Sequence, residues 1–155
     1  MEAPDYLAFD PGEMLGWAAF NEQGRLFRAG QVSWLDLDDF LLTIPTDKLK
    51  HIILEEYKVF AKYAKKHTGS KLETSQSIGK IKFWAKMHSV PVAEQPASIL
   101  SIAEKWMQIK MPSDHSVSHQ VSATLHGFYW LVRAGIAKIA LESEHASRQE
   151  NREAT

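Results

Sequence analysis

The sequence contains no cysteine. Disulfide bonds, thiolate metal sites and a thiol nucleophile are therefore excluded, and the composition fits a reducing compartment. No apolar run approaches the length of a membrane span, and the N-terminus lacks the pattern of a signal peptide. We therefore expect a cytoplasmic protein.

The chain also lacks a large net charge, since 18 Lys and Arg residues stand against 19 Asp and Glu residues. This balance hides a basic segment from Lys58 to Lys86, which has eight lysines and one acidic residue, Glu73. Its lysines would neutralise phosphates, and its interleaved aromatic rings would contact unstacked bases. We predict a nucleic-acid contact, although a solvated lysine face over core aromatics is the simpler alternative. The predicted contact residues are Lys58, Phe60, Lys62, Tyr63, Lys65, Lys66, Lys71 and Lys80.

The length of 155 residues and the hydrophobic content of 45% predict one globular domain. We assign this domain to residues 1–141. Residues 142–155 are polar and lack apolar periodicity, so we expect a frayed tail.

Hydrophobic runs separated by turn residues predict a mixed α/β protein, with an antiparallel meander first and crossover units after it. The predicted strands cover residues 6–10, 15–20, 25–34, 51–57 and 90–94, and the predicted helices cover residues 35–44, 72–88, 97–107 and 113–134.

Two of these strands end in a carboxylate. The first is the apolar run 6–9, which is followed by Asp10; Pro11 then prevents the strand from continuing. The run 51–54 repeats this design and is followed by Glu55. Because the second run follows a helical crossover, it should lie parallel to the first. We therefore expect Asp10 and Glu55 to meet at one edge of the sheet, although each could also be an ordinary solvated strand end.

The last helix carries two stripes at helical spacing. If its apolar stripe lies on the sheet, its polar stripe can lean towards the acidic edge. Two carboxylates and an imidazole would then form a site for hard divalent cations that could serve phosphodiester cleavage. A mixed polar helix face is the simpler alternative. The apolar stripe comprises Val117, Val121, Leu125, Phe128 and Val132, and the polar stripe comprises His115, His119, Ser122 and His126.

Three segments in this order resemble the RuvC family of Holliday junction resolvases, and the RuvC-like nucleases of bacteriophages in particular. They are Phe9-Asp10-Pro11-Gly12, then residues 53–57 with Val59-Phe60, and then residues 118–123 in the last helix; residues 92–96 add to the resemblance. The resemblance implies a ribonuclease H-like mixed five-stranded sheet with helices on both faces. It also implies a homodimer that cuts branched DNA with Mg²⁺ or Mn²⁺, in the cytoplasm of a bacterial host if a phage encodes the chain. Ile78, Ile81 and Trp84 of the predicted helix 72–88 are the candidate dimer surface.

The resemblance places the catalytic and metal-binding Asp and Glu of the family at Asp10 and Glu55. The last helix of the family carries Asp or His, which matches His119 as a metal ligand, and then an Asp three residues later. That Asp falls on Ser122, which is neutral and a poor metal ligand. Three explanations for the serine are open. The chain could be a silenced variant, it could be a natural member that uses His119 with Asp114, or the match to the family could be displaced by one helical turn.

The sequence thus predicts a metal-dependent endonuclease that resolves four-way junctions or other branched DNA. A catalytically inactive branched-DNA binding module on the same fold is the alternative that Ser122 keeps open. A phosphotransferase on the related actin-like fold is a weaker alternative, because it would need a second nucleotide-binding half.

The basic segment generates a direct test. We expect Lys65→Ala with Lys66→Ala to weaken junction binding for all sequences and to flatten its salt dependence, because fewer phosphate counterions are released. Fluorescence anisotropy with a labelled four-way junction, across a salt series, measures both effects. If the double variant binds the junction as tightly as the parent chain, the lysines of the segment serve solubility and not DNA binding.

Overall fold

A computed structural model describes residues 2–57 and 70–139 of the chain. The strands are β1 (Tyr6–Asp10), β2 (Met14–Phe20), β3 (Leu26–Ser33), β4 (His51–Glu55) and β5 (Val92–Gln95). The helices are α1 (Leu37–Leu42), α2 (Ser70–Met87), α3 (Leu100–Met107) and α4 (His115–Arg133), and a 3-10 turn at Ala97–Ile99 precedes α3. The predicted order of elements is therefore confirmed. The predicted tail, 142–155, lies outside the described residues.

The five strands form one mixed sheet in the order β3-β2-β1-β4-β5. The first three strands are an antiparallel meander, as predicted, and β4 and β5 add in parallel on the other side of β1. Because β1 lies at the centre of the sheet, the first acidic strand end is flanked by β2 and β4. None of the helices among the described residues is both long and apolar enough to cross a bilayer.

Side-chain alternation along β1 and β4 divides the core between two faces of the sheet. On one face, Leu7 and Phe9 pack with Ile52 and Leu54 under helices α1 and α2. On the other face, Tyr6, Ala8 and Ile53 pack under α4. The prediction of helices on both faces is confirmed.

Helix α4 lies between the sheet and α3, and this corrects the predicted use of its two stripes. The apolar residues Val121 and Leu125 pack against α3. Ser122 and His126, from the polar stripe, are buried, and His126 bonds to Glu55 at the sheet edge. Val117, predicted to be buried, is exposed. The prediction assumed that the most apolar stripe faces the sheet, whereas α4 has buried contacts on two sides.

Helix α2 packs its apolar face on the sheet, which also corrects an expectation. The sequence offered Ile78, Ile81 and Trp84 as a dimer surface. Ile81 and Trp84 are instead buried in the core below α2, and Ile78 packs against it. Leu72, near the start of α2, is exposed.

Two glycines allow α4 to lie unusually close to the sheet. Gly16, opposite Asp10 in the β1–β2 register, faces the backbone of α4, and a Cβ there would overlap the carbonyl group of His119. Gly127 on α4 has the reciprocal role, because a Cβ there would overlap the ring of Phe20. The missing side chains therefore set the height of α4 above the strand ends.

The close approach at Gly16 predicts a steep loss of stability on substitution. Gly16→Ala should reduce the free energy of unfolding by at least about 3 kcal/mol, because the added methyl group meets backbone that cannot rotate away. Chemical denaturation followed by circular dichroism measures this loss.

Gly79 provides the matched control, because a Cβ there would meet no atom within 4 Å. Since Gly79 lies inside α2, Gly79→Ala should raise stability by about 1 kcal/mol. Equal effects of the two substitutions would contradict the proposed close contact.

Candidate active site

Asp10 and Glu55 meet at one edge of the sheet. Asp10 is the last residue of β1 and Glu55 the last residue of β4, and these strands are parallel neighbours. The register pairs Phe9 with Leu54, so the two acids form the next pair. Both side chains point to the face covered by α4, where each contacts a histidine of that helix, and each carboxyl group is close enough to shift the pKa of the other. The structure thus brings the two acids together as the sequence predicted.

His119 on α4 contacts the first of these acids. Its Nδ1–H donates a hydrogen bond of 2.9 Å to Oδ2 of Asp10. The His119 side chain is 39% exposed, whereas that of Asp10 is 12% exposed. His119 therefore closes the site from above and keeps one side of its ring open to solvent.

His126 contacts the second acid, and the sequence did not predict this contact. Its Nε2 lies 3.1 Å from Oε2 of Glu55, and its side chain is fully buried. His126 belongs to the predicted polar stripe but was not assigned to the site. Its position seven residues after His119, two helical turns on the same face, was the signal that could have identified it.

Ser122 lies between the two histidines on the same side of α4 and is buried. A neutral hydroxyl thus occupies the place where the family resemblance expects a carboxylate. Asp114, offered as a substitute, is exposed just before α4 begins. The contact between His119 and Asp10 argues against the register error that could have explained Ser122.

The two acids have opposite pKa shifts. Burial raises the pKa of Asp10 above its ordinary value, the His119 hydrogen bond opposes this shift, and the charge of Glu55 adds to it. Burial also acts to raise the pKa of Glu55, but the hydrogen bond from His126 and the neighbouring Asp10 hold it below its ordinary value. Asp10 therefore takes up a proton more readily than Glu55 does.

The chemistry of this site suits a hard divalent cation bound through few protein ligands. Within residues 2–57 and 70–139, no three His, Cys, Asp or Glu side chains are arranged to hold a metal ion. Mg²⁺, however, is commonly held through one or two carboxylates, with water and phosphate oxygens as its other ligands. Two adjacent, partly buried carboxyl groups of like charge fit such an ion, because a cation would relieve their repulsion.

Most of the predicted nucleic-acid contacts cannot be placed. Lys58, Phe60, Lys62, Tyr63, Lys65 and Lys66 lie outside the described residues, and Lys71 is in the first turn of α2. Lys80 forms an ion pair of 2.7 Å with Asp38, and its ammonium group lies over the ring of Trp34. The structure gives Lys80 a role in joining α2 to α1, and its DNA contact stays a prediction.

The strand order, the two acids at adjacent strand ends and the C-terminal helix above them define a ribonuclease H-like fold. No protein-family model and no curated protein matches the sequence.

Solved structures that match this fold include two of RuvC from Thermus thermophilus. One is RuvC in complex with Holliday junction substrate, with 13% sequence identity and a TM-score of 0.57, and the match covers 86% of this chain and 97% of that chain. The other is a RuvC structure with 15% identity and a TM-score of 0.57, covering 86% of this chain and 98% of that chain. The resemblance to RuvC noted in the sequence is thus confirmed at the level of the fold.

The contact between His119 and Asp10 predicts a pH-dependent stability in metal-free protein. The Asp10 hydrogen bond raises the pKa of His119 above its ordinary value of 6.5, burial opposes the shift, and the charges of Asp10 and Glu55 add to it. The stabilisation should be fully present below pH 6.5 and lost as the pH rises through the raised pKa. His119→Gln should therefore lower the free energy of unfolding more at pH 6 than at pH 9.

The difference between the two pH values should be at most about 1 kcal/mol, because solvent screens a partly exposed pair. Urea titrations in a chelating buffer measure it. In an Asp10→Asn background the pH dependence of the His119→Gln effect should shrink. If the effect of His119→Gln depends on pH equally strongly in the Asp10→Asn background, a group other than Asp10 causes that pH dependence.

Proposed function

We propose that this chain is a metal-dependent, structure-selective endonuclease that resolves Holliday junctions or other branched DNA by paired phosphodiester cleavage. The observation that carries the proposal is the placement of the Asp10 and Glu55 carboxyl groups side by side, with the His119 imidazole on Asp10. The fold similarity to RuvC supports it, because one matching structure is a RuvC with Holliday junction substrate.

Asp10 and Glu55 would hold Mg²⁺ or Mn²⁺, and His119 would lie beside the ion. Such an ion supplies an activated water and neutralises charge on the scissile phosphate and the leaving oxygen. The protein would contribute fixed oxygen ligands on two rigid strands, so that little reorganisation accompanies the reaction.

His119 would have a second task besides completing the metal site. With its Nδ1–H bonded to Asp10, the half-open ring can present its other nitrogen to water or substrate. Such a group can orient a water molecule or accept a proton during cleavage. This assigns His119 to the reacting side of the site.

Ser122 favours the alternative, a branched-DNA binding module without cleavage. A buried hydroxyl adds no negative charge between His119 and His126. A second cation would therefore lack a carboxylate from α4. If two ions are required, the chain would bind branched DNA and leave it intact.

We also propose a homodimer, because paired cleavage of a four-way junction needs two symmetric sites. Leu42, Phe83 and Met87 are exposed apolar side chains around a cavity of about 330 Å³ between α1 and α2. A second copy of the chain could cover this patch.

We further propose that the protein acts in the cytoplasm, that of a bacterial host if a phage encodes it.

Junction cleavage separates the two candidate functions. A supercoiled plasmid with an extruded cruciform, incubated with Mg²⁺ or Mn²⁺, should be converted to linear DNA by a dimer that makes paired cuts. Asp10→Asn should reduce cleavage by about 100-fold or more, because one fixed metal ligand is lost, and should retain junction affinity. Gel electrophoresis measures the cleavage, and anisotropy measures the binding.

Asp47→Asn is the matched control, because Asp47 is exposed and lies in the loop before β4. It should leave both cleavage and binding unchanged. Tight binding by the parent chain without nicks would favour the binding module. Activity gained on Ser122→Asp would then identify a silenced enzyme.

A further inference from the structure

The ring of His126 on α4 is fully buried. Burying a polar ring costs free energy unless both of its nitrogens find hydrogen-bond partners. Its Nε2 lies 3.1 Å from Oε2 of Glu55, while its Nδ1 is buried and has no hydrogen-bond partner among the described residues. A buried polar atom without a partner reduces stability. An apolar residue of similar size would avoid this loss, so stability alone does not account for a histidine at this position.

The contact with Glu55 fixes the tautomer of His126. A carboxylate accepts hydrogen bonds and donates none, so Nε2 carries the proton and donates it to Oε2 of Glu55. In the neutral ring Nδ1 then presents only a lone pair, to which no described residue donates a hydrogen bond. The hydrogen bond holds one oxygen of a side chain that otherwise has three rotatable bonds.

The sheet fixes His126 from a second direction. Gln95, the last residue of β5, pairs with Glu55 in the β4–β5 register. Its side chain is buried, and its Nε2 donates a hydrogen bond of 3.0 Å to the main-chain carbonyl of His126. Neighbouring strand ends thus hold the backbone and the ring of the same residue.

We infer that His126 is a positioning residue that holds the Glu55 carboxylate in its metal-binding orientation beside Asp10. The inference rests on the proposed function of this site. His126 bonds one carboxylate oxygen and leaves the other for an ion. Ser122 supplies no charge to constrain that ion, so the fixed orientation of Glu55 carries more of the selectivity of the site.

The test replaces His126 by residues of similar size with and without a donor. His126→Leu removes the donor and also the unpartnered Nδ1, so the unfolding temperature should stay constant or rise. Affinity for Mn²⁺, measured from the electron paramagnetic resonance signal of the free ion, should fall by about 10- to 100-fold, as is typical when a group that orients a metal ligand is lost. His126→Gln keeps an N–H donor and should recover part of that affinity.

The exposed His88 at the end of α2 provides the matched control, and His88→Gln should leave Mn²⁺ affinity unchanged. Parent-like Mn²⁺ affinity in a folded His126→Leu protein would overturn the inference. So would a loss of both stability and affinity that His126→Gln fails to recover, because packing alone would then explain the residue.

A metal-independent measurement keeps this inference separate from the proposed function. In ¹⁵N-labelled protein, the Nε2–H of His126 should give a slowly exchanging imidazole signal that disappears in His126→Leu. If this signal is present and the parent chain binds no Mn²⁺, the metal site of the proposed function fails while the contact with Glu55 stands. Absence of the signal would overturn the positioning role directly.

Discussion

The closeness of α4 to the sheet is the constraint on which the candidate site depends. The imidazoles of His119 and His126 reach the carboxyl groups because the helix backbone touches β2 at Gly16 and because Gly127 admits the ring of Phe20. A larger residue at Gly16 would overlap the backbone of α4, and one at Gly127 would overlap the ring of Phe20. The packing of two small residues thus determines the chemistry available a few ångströms away.

The site contains two acid–imidazole pairs with different environments. Asp10 and His119 form the more open pair, and Glu55 and His126 the more enclosed one. This asymmetry separates their roles, because the open imidazole can contact a substrate and the enclosed one can act only through its acid. The acids themselves differ in the opposite sense, since the Asp10 side chain is 12% exposed and that of Glu55 is 21% exposed.

Sequence reasoning predicted the acidic pair because its causes are local. A short apolar run, a terminal carboxylate and an intervening crossover place Asp10 and Glu55 on adjacent parallel strands. The orientation of α4 was beyond that reasoning, since a helix with two stripes does not indicate which stripe meets the sheet when α3 covers the other side. The dimer surface placed on Ile81 and Trp84 was wrong for a related reason, because an apolar face on a helix can serve the core or a partner.

The small residues of α4 carried information that hydrophobic periodicity ignores. Ser122 and Ala123 are buried, and Gly127 lies against the ring of Phe20. Glycine and alanine at such spacing indicate close backbone approach better than they indicate hydrophobic burial. With Gly16 as the counterpart on β2, this pattern indicates which face of α4 meets the sheet.

The bond from His119 to Asp10 joins residues 109 positions apart. During translation, the acidic strands therefore leave the ribosome long before the histidines that complete the site. A nascent chain without α4 exposes its two acids but lacks the imidazoles that orient them. The order of synthesis thus completes the two acid–imidazole pairs only when α4 has docked on the sheet.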